Sequence, residues 1–466
     1  MKNNKYLFLM LWAVLFGSCI DNSTELGTDK ISRITIKFDP EKNSFRTDQW
    51  AEFVLPCPEI VQENEEKPLT YRWDINYKTV STEKDLRVVC EELTPPDQDN
   101  FPCRLVVSNE DGSAFMDFTL LVTSPYQVGL VVMSKTDDGT MISFKREDKR
   151  NAEFQLDAYK LNNPDFPLGR TPVKATQVGN HLYFATVDPI RYVKVNVQTM
   201  EAVYMFPDYP VEHFDYMSGP AYGTMTLYCF ADGEMIEMDG TQDSFMNFFQ
   251  QMFRMFYPGA RVAPKALICK SDAYFYNDTE GVLLDENASP VCAEEVFAGK
   301  KLMDCVCCNH EEEGLLIVRK EGESPEIVYV NPEEGVHYST VSTEGTGIDE
   351  TSRFVARQNM AHLYYSVGNK IFIYDYMSNA NFPTTPKYTV GKSGDVIKSM
   401  LFSPDEKKFY VAYDAVDGGK LKGCVKSFLV SGLDGDNPEE ELVDWDLEWE
   451  KTGIGGEIVD MIYRKE

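Results

Sequence analysis

The densest group of candidate metal ligands lies at residues 305–310, which read CVCCNH. Thiolates and imidazole bind zinc and related ions, but structural zinc sites usually combine two separated ligand pairs, and no second pair follows here. In a strand, Cys305 and Cys307 point to one face and Cys308 to the other. We therefore expect an inner strand with small apolar side chains rather than a metal centre.

Histidine is scarce, with 5 residues in a chain of 466, which leaves little material for imidazole-based catalysis. His181 and His362 each begin an H-L-Y sequence, and equivalent positions in a repeat favour a structural role. No G-x-S-x-G, HExxH or glycine-rich phosphate motif occurs. The 75 Asp and Glu residues leave paired-carboxylate chemistry open. The sequence nominates no catalytic residue and no metal ligand, and it favours a protein that is not an enzyme.

Acidic turns are the remaining candidates for a cofactor, because carboxylate and carbonyl oxygens bind Ca²⁺. The turns are Asp137-Asp138-Gly139, Asp232-Gly233 and LDGDN at 433–437. None combines alternating acids with the glutamate at position 12 that an EF-hand loop requires. Ordinary β-turns are therefore the expected structure, and calcium is the one cofactor left open.

The most distinctive apolar segment is 243–259, which reads DSFMNFFQQMFRMFYPG. Its i, i+3, i+4, i+7 spacing predicts a helix with Asp243 or Ser244 as N-cap and Pro258-Gly259 at its end. One interpretation is a helix packed into the core; the other is an adaptable surface that meets a partner or a ligand. The surface interpretation nominates Phe245, Phe248, Phe249, Met252, Phe253 and Phe256.

A second aromatic run, YMFPDYP at 204–210, adds three candidates for the same role. Aromatic side chains in an exposed loop stack on sugars or grip peptide side chains. The candidates are Tyr204, Phe206 and Tyr209.

The elements that would position these residues begin with a targeting segment at 1–18. Lys2 and Lys5 precede an apolar stretch from Leu7 to Phe16, which is too short to span a bilayer and is typical of a secretory signal. The run F-G-S-C resembles a bacterial lipobox, in which cleavage leaves Cys19 as the lipid-modified N-terminus. A plain signal peptide with an incidental cysteine is the alternative.

From the lipobox we expect an outer-membrane protein at the cell surface, held in the membrane through its lipid anchor only. Residues 19–27 would then form an acidic tether ahead of the first folded domain.

Residues 28–124 carry short stretches of alternating apolar and polar side chains, the pattern of half-buried strands. The stretches are 34–38, 50–55, 71–75, 86–90, 103–108 and 116–122. Six or seven strands in about 95 residues are typical of a β-sandwich, with Trp73 as a core residue. A disulfide from Cys103 to Cys57 or Cys90 stays open, although prolines on both sides of Cys57 argue against a central strand there.

The segments YRWDIN at 71–76 and CRLVVSNEDGSAFMDFTLLV at 103–122 resemble a PKD-like domain, in which a Trp-bearing strand precedes a strand ending in V-x-N-x-x-G. The order of lipobox, PKD-like sandwich and long β-rich region is similar to that of PKD-like family lipoproteins of Bacteroidetes. The resemblance implies an accessory lipoprotein associated with a starch-utilisation-type importer, and it transfers no catalytic residue.

Residues 125–466 contain a recurrent unit of polar turn, strand, short turn and second strand. GNHLYFATVDPIRYVKVNVQT at 179–199 and NMAHLYYSVGNKIFIYDYMSN at 359–379 share it, and an F-S-P-D turn common in propeller blades occurs at 402–405. Repeats of ~40–50 residues with several strands each are typical of a β-propeller. The region predicts about seven blades, with six or eight blades, or separate sandwiches, as alternatives.

The two ends of this region can close the ring. A hairpin is predicted around Asp138-Gly139, and the C-terminal GGEIVDMIYRKE supplies a last strand. Pairing between them would remove the exposed sheet edges. The predicted fold class is therefore all-β: an Ig/PKD-like β-sandwich followed by a β-propeller with one inserted amphipathic helix.

The net charge of −30, from 45 Lys and Arg against 75 Asp and Glu, argues against nucleic acid as a partner. We expect a non-enzymatic accessory binding subunit of an outer-membrane nutrient importer, which captures a peptide or an oligosaccharide. Two alternatives stay open: a propeller-type hydrolase or lyase acting on a polysaccharide or peptide, and a structural component of an envelope complex.

Overall fold

The computed structural model describes residues 31–465 apart from 96–97, 149–151, 207–214, 220–224, 379–380 and 431–444. The chain divides into two compact units, Met1–Ser124 and Pro125–Glu466. Cys19, Tyr209 and the turn at 433–437 lie outside the described residues, so the predictions made for them stay predictions. No helix in the described part of the chain is long and apolar enough to cross a bilayer.

The first unit is built from short strands rich in β-branched and aromatic residues, which favour a pleated, half-buried surface. They are β1 (Ile34–Lys37), β2 (Ser44–Asp48), β3 (Glu52–Leu55), β4 (Glu59–Gln62), β5 (Thr70–Ile75), β6 (Lys78–Ser81), β7 (Leu86–Val89), β8 (Phe101–Asn109) and β9 (Gly112–Thr123). Strands pair in one five-stranded sheet, β2-β9-β8-β5-β6, and in two ladders, β1-β4 and β3-β7. All six predicted strand segments are confirmed.

Trp73 is the centre of the core of this unit, as predicted. Its side chain is 0% exposed, its Nε1–H donates to the carbonyl of Glu83 at 3.0 Å, and its ring meets that of Phe118 edge-on. Cys57, Cys90 and Cys103 are free thiols, so neither proposed disulfide is formed.

The second unit forms seven successive antiparallel sheets within the described residues. The strands of the first three are β10 (Gly129–Thr136), β11 (Gly139–Arg146) and β35 (Glu457–Arg464); β12 (Thr171–Val178), β13 (His181–Val187), β14 (Arg191–Asn196) and β15 (Ala202–Met205); β16 (Tyr216–Ser218), β17 (Thr226–Ala231), β18 (Glu234–Asp239) and β19 (Ser244–Met246).

The next two sheets contain β20 (Val262–Cys269), β21 (Asp272–Asn277) and β22 (Val282–Leu284); β23 (Lys300–Cys308), β24 (Glu313–Lys320), β25 (Glu326–Asn331) and β26 (Val336–Ser342). The last two contain β27 (Phe354–Ala356), β28 (His362–Val367), β29 (Lys370–Asp375) and β30 (Tyr388–Thr389); β31 (Val396–Phe402), β32 (Lys408–Asp414), β33 (Gly423–Val430) and β34 (Trp445–Gly455). Helices are short: α1 (Ala158–Asn162), α2 (Phe248–Phe256) and single 3-10 turns at Pro40–Lys42 and Glu294–Val296.

One edge strand of each sheet faces the corresponding strand of the next sheet, and we name these seven the inner strands: β35, β12, β16, β20, β23, β27 and β31. Each contacts the next in this order, and β31 contacts β35 again. The inner strands therefore form a closed circle, which is the arrangement of a propeller.

The ring closes as the sequence predicted. The C-terminal strand β35 pairs antiparallel with β10, which also forms the predicted hairpin with β11 around Asp138-Gly139. His181 and His362 begin the second strands of their sheets, β13 and β28, so the H-L-Y sequences occupy equivalent places. The all-β, propeller-like prediction is confirmed, whereas the PKD-like identity of the first unit stays a prediction.

Candidate functional site

Helix α2 begins at Phe248 and not directly after the predicted caps at 243–244, because residues 244–246 form β19 and pair with β18. The carboxylate of Glu237 on β18 accepts hydrogen bonds from the backbone N–H of Phe248 at 2.9 Å and of Phe249 at 3.3 Å. An acidic group at a helix N-terminus stabilises the helix. A residue of a neighbouring strand therefore caps this helix in place of the local cap that the sequence predicted.

The helix buries one face, so part of the predicted partner surface lies inside the protein. Phe249 and Phe253 are 0% exposed among side chains of the third and fourth sheets, and the Phe249 ring lies 4.3 Å from that of Phe275. In the folded protein these two cannot contact a partner, which corrects the prediction for them. Of the nominated helix residues, Phe248 and Phe256 remain at the surface and Met252 is half-buried.

The other predicted aromatic contacts are also divided between core and surface. Phe206 is buried against Tyr192 and Phe245, where the second and third sheets meet, because the apolar edges of both sheets close over it. Phe245 lies on β19 rather than on the helix and is half-buried. Tyr204 is exposed at the outer strand β15 and packs edge-on against Phe206.

The cysteine cluster lies on the inner strand β23, as expected. Cys305 and the half-buried Cys307 face the core shared with the fourth sheet, and Cys308 faces the core shared with the sixth. Over the described residues, no three His, Cys, Asp or Glu side chains are grouped for a metal ion. The acidic turns at 137–139 and 232–233 join β10 to β11 and β17 to β18.

A polar cavity of about 420 Å³ lies where the inner strands converge, and all seven of them contribute to its wall. Its charged and phenolic side chains are Lys174, Asp215, Tyr216, Lys265, Asp304, Arg353, Lys398 and Asp460. Sequence analysis nominated none of them. Ligand sites commonly have this volume and a few convergent polar groups, so we take this cavity as the candidate site.

Irregular pairing of the inner strands helps to place these side chains. The register shifts beside Lys174, Lys265, Asp304, Lys398 and Asp460 on their respective strands. A β-bulge bends its strand and re-aims a side chain. The sequence does carry a signal for them: each is a lone charged residue within an apolar part of the inner strand of its sheet.

Asp304 and Asp460 line this cavity, and each carboxylate is bonded by a lysine and by a backbone N–H. Lys174 Nζ lies 2.9 Å from Asp460 Oδ1, and the N–H of Ala175 donates to Asp460 Oδ2 at 3.0 Å. Asp304 is bonded by Lys265, and the N–H of Cys305 donates to its Oδ1 at 2.8 Å. Such carboxylates are fixed as hydrogen-bond acceptors.

Tyr216 lies between two ammonium groups. Lys174 Nζ is 5.1 Å and Lys265 Nζ is 5.9 Å from the centre of its ring. Burial disfavours ionisation of the phenol, but these two charges outweigh burial and lower the pKa of Tyr216. Burial likewise opposes the charge of Lys174, yet Asp460 and Tyr216 together raise the pKa of Lys174. The cavity therefore keeps its lysine charge at neutral pH.

Arg353 differs from the three lysines in its partners. Its Nε donates to the carbonyl of Lys398 at 3.0 Å, and its Nη1 donates to the carbonyls of Thr351 and Ser352 at 3.1 Å each. Lys398 itself pairs with Glu457 at 2.8 Å. Within the described part of the chain, Arg353 forms no ion pair with a carboxylate. Burial lowers the pKa of Arg353, whereas Tyr216 and Asp349 oppose that shift.

A second cavity, of about 460 Å³, lies beside the β10–β11 hairpin and α1. One side of it is closed by Lys420 and Asp137, whose side chains are paired at 2.8 Å but are 85% and 74% exposed. Its wall comes from the first sheet and from loops rather than from the ring of inner strands. The central cavity has the more rigid frame, and we therefore favour it as the site.

Comparison with known proteins supplies no family for this chain. No protein-family profile matches it, and neither does any curated protein. A quinonprotein alcohol dehydrogenase-like protein from Bacteroides thetaiotaomicron aligns with 14% identity and a TM-score of 0.47, over 91% of this chain and 97% of that one. A candidate 6-phosphogluconolactonase from Bacteroides uniformis aligns with 11% identity and a TM-score of 0.45, over 72% and 99%.

The β-propeller domain of Cps50 (Swd1) from Myceliophteria thermophila also aligns, with 13% identity and a TM-score of 0.30, over 61% of this chain and 73% of that one. Similarities at this level assign no activity to this chain. The propeller-like architecture follows from the sheets of this chain itself, whose inner strands form a closed circle.

Proposed function

We propose that this protein is a non-enzymatic, surface-exposed lipoprotein whose propeller captures a glycan or peptide ligand in the central cavity. It would serve as an accessory binding subunit of a starch-utilisation-type outer-membrane importer. The observation that carries the binding role is the cavity of about 420 Å³, whose wall is formed by all seven inner strands and carries polar side chains. Sites built on strands hold their side chains more precisely than sites on loops.

The partners of the two central aspartates support binding over catalysis. Asp304 and Asp460 are each neutralised by a lysine and bonded by a backbone amide. A carboxylate held in this way is an ion-pair partner and a hydrogen-bond acceptor with a fixed orientation. No histidine lines the described wall of this cavity. The side chains are therefore better suited to hydrogen-bonding a ligand than to general acid catalysis.

One observation favours the enzyme alternative. Tyr216 has its pKa lowered by Lys174 and Lys265 and faces the same cavity. A lowered pKa favours the phenolate form, which can accept a proton from a bound substrate, as a polysaccharide lyase requires. This candidate predicts turnover that depends on Tyr216.

The binding role is tested by calorimetric titration of the full chain, freed of its signal, against panels of oligosaccharides and peptides. We expect a ligand that binds without product formation. Lys174→Met should weaken this binding at least tenfold, whereas Lys392→Met, at an exposed ion pair with Asp417, should not change it. Turnover that Tyr216→Phe abolishes would overturn the non-enzymatic role, and binding unaffected by Lys174→Met would overturn the choice of cavity.

The lipid anchor is tested at Cys19, in the segment outside the described residues. The wild-type chain should partition into the detergent phase and carry a mass increment of lipid on the mature N-terminus. Cys19→Ala should move the protein to the aqueous phase, because it removes the acylated thiol. An aqueous wild-type protein would contradict the anchor without affecting the cavity.

A further inference from the structure

We infer that the ligand of the central cavity is a sugar acid, an oligosaccharide containing a uronate residue, whose carboxylate is bound by the Arg353 guanidinium. The inference rests on the proposed function, because it specifies the ligand class of the same cavity. Three features of the cavity carry it: the partners of its cations, the placement of its carboxylates, and its size.

The cations of the cavity are not all neutralised by the protein. Lys174, Lys265 and Lys398 have carboxylate partners, but Arg353 bonds only backbone carbonyls within the described residues. Its Nη2 forms no hydrogen bond with them and remains for a ligand. A half-buried cation that forms no direct ion pair is stabilised by an anionic ligand, and a guanidinium binds a carboxylate with strong, directional hydrogen bonds.

The charge of the cavity wall contrasts with that of the whole chain. Four cationic side chains and three carboxylates line the cavity, whereas the chain carries a net charge of −30. Three of these cations, Lys174, Lys265 and Lys398, are paired with carboxylates of the protein, and the fourth belongs to Arg353. A wall of this kind has one cationic group left to bind a carboxylate of a ligand.

The remaining polar groups of the cavity can form hydrogen bonds with the hydroxyl groups of a sugar. Asp304 and Asp460 present acceptor oxygens beside the donor ammonium groups of Lys265 and Lys174. A sugar hydroxyl is both donor and acceptor, so it can bond to both members of such a pair. An acidic peptide offers carboxylates and backbone amides in place of hydroxyls, so it can form fewer bonds of this paired kind. The mixed wall thus favours a sugar with a single acid group in the cavity over an acidic peptide.

The volume agrees with a short saccharide. The cavity of about 420 Å³ is at the smaller end of the range for small-molecule sites. The half-buried Tyr216 lines the cavity, and its hydroxyl can hydrogen-bond a hydroxyl of the sugar. The longer part of an oligosaccharide would then lie outside the cavity, with one uronate bound inside it.

The test is a titration of the full mature chain with four probes: trigalacturonate, a glucuronate trisaccharide, the methyl ester of trigalacturonate, and triglutamate. At least one of the two acidic sugars should bind, and the ester should bind at least tenfold more weakly than its parent acid. Arg353→Gln should weaken binding of the acid at least tenfold and leave binding of the ester unchanged. Arg254→Gln, at an exposed ion pair on α2, is the matched control and should have no effect.

The comparison of acid and ester on the unaltered protein does not depend on the folding of any variant. Equal affinity for acid and ester, or no binding of either acidic sugar, would overturn the sugar-acid inference. Tighter binding of triglutamate would overturn the choice of sugar. If neutral oligosaccharides bind with Lys174-dependent affinity while the acids do not, the proposed function stands and only this inference fails. If no glycan or peptide binds at all, the proposed function fails with it.

Discussion

At the scale of single residues, buried charges in this protein have specific partners. Arg357 is 0% exposed, and its Nε lies 3.4 Å from Oε2 of Glu406, in the turn between β31 and β32. Glu406 also accepts the N–H of Gln358 at 2.5 Å and an amide hydrogen of Asn359 at 3.2 Å. The pair joins the sixth sheet to the seventh. Removing one partner of a buried pair leaves the other charge uncompensated.

Glu406→Ala should lower the free energy of unfolding by about 3–5 kcal/mol, because Arg357 then stays buried without that carboxylate. Chemical denaturation followed by tryptophan fluorescence measures the change. The matched control is Asp417→Ala, which removes an ion pair with Lys392 whose two side chains are 65% and 61% exposed. The control should leave the stability unchanged. Equal effects of the two variants would contradict the structural role of Glu406.

At the scale of elements, the aromatic helix and the closing strand show how packing decides the role of an apolar segment. Both were recognisable as apolar elements from sequence. Helix α2 divides its aromatic residues between core and surface, and β35 completes the first sheet from the other end of the chain. A separate prediction follows for each of these two elements.

Phe253→Ala should destabilise the protein by about 3–5 kcal/mol, because it removes a fully buried ring and leaves a cavity. Phe256→Ala, three residues further along the same helix, removes a ring that is 52% exposed and should change stability by less than about 0.5 kcal/mol. Denaturant midpoints measure both. Similar losses for the two variants would show that the exposed face of the helix is also packed.

Deletion of residues 457–466 should prevent the second unit from folding into a closed ring, because β10 loses its partner and the first sheet keeps an unpaired edge. We expect the shortened protein to elute as an aggregate in size-exclusion chromatography and to be cleaved rapidly by protease. Deletion of residues 465–466 alone leaves the pairing of β10 with β35 intact and should have no such effect. A soluble, protease-resistant product of the longer deletion would contradict the closing role of β35.

At the scale of the whole molecule, the propeller contains many buried tyrosines that stay protonated. Burial raises the pKa of Tyr159 to about 12, and it also raises the pKa of Tyr365 and, together with Glu147, that of Tyr410. These hydroxyl groups are neutral in the folded protein at a pH where an unfolded tyrosine, with a pKa near 10, has ionised.

The protein should therefore lose stability as the pH rises above about 10. The folded state then holds more protons than the unfolded state, so each such tyrosine lowers the free energy of unfolding by up to about 1.4 kcal/mol per pH unit. Guanidinium midpoints at pH 7, 8.5, 9.5, 10.5 and 11 measure the slope. Ionisation of these tyrosines with raised pKa values contributes no slope between pH 7 and 8.5, which serves as the internal control. A constant midpoint up to pH 11 would contradict the burial of these groups.

Much of the architecture was accessible from sequence because strands and turns are specified locally. Alternating apolar residues, the Asp138-Gly139 hairpin and the repeated H-L-Y units are short-range patterns, and each formed the element that it predicted. The start of α2 was mispredicted for the opposite reason. Its cap is Glu237, which reaches the helix only because β18 and β19 pair beside it.

The central cavity required the tertiary structure. Lys174, Arg353 and Asp460 lie far apart in the chain and meet only because the inner strands form a closed circle. Local patterns place a side chain on one face of a strand, which is enough to specify an all-β chain with repeated units. Which charges share a cavity, and which of them forms no ion pair among the described residues, depends on ring closure and strand register, and these arise from contacts between distant parts of the chain.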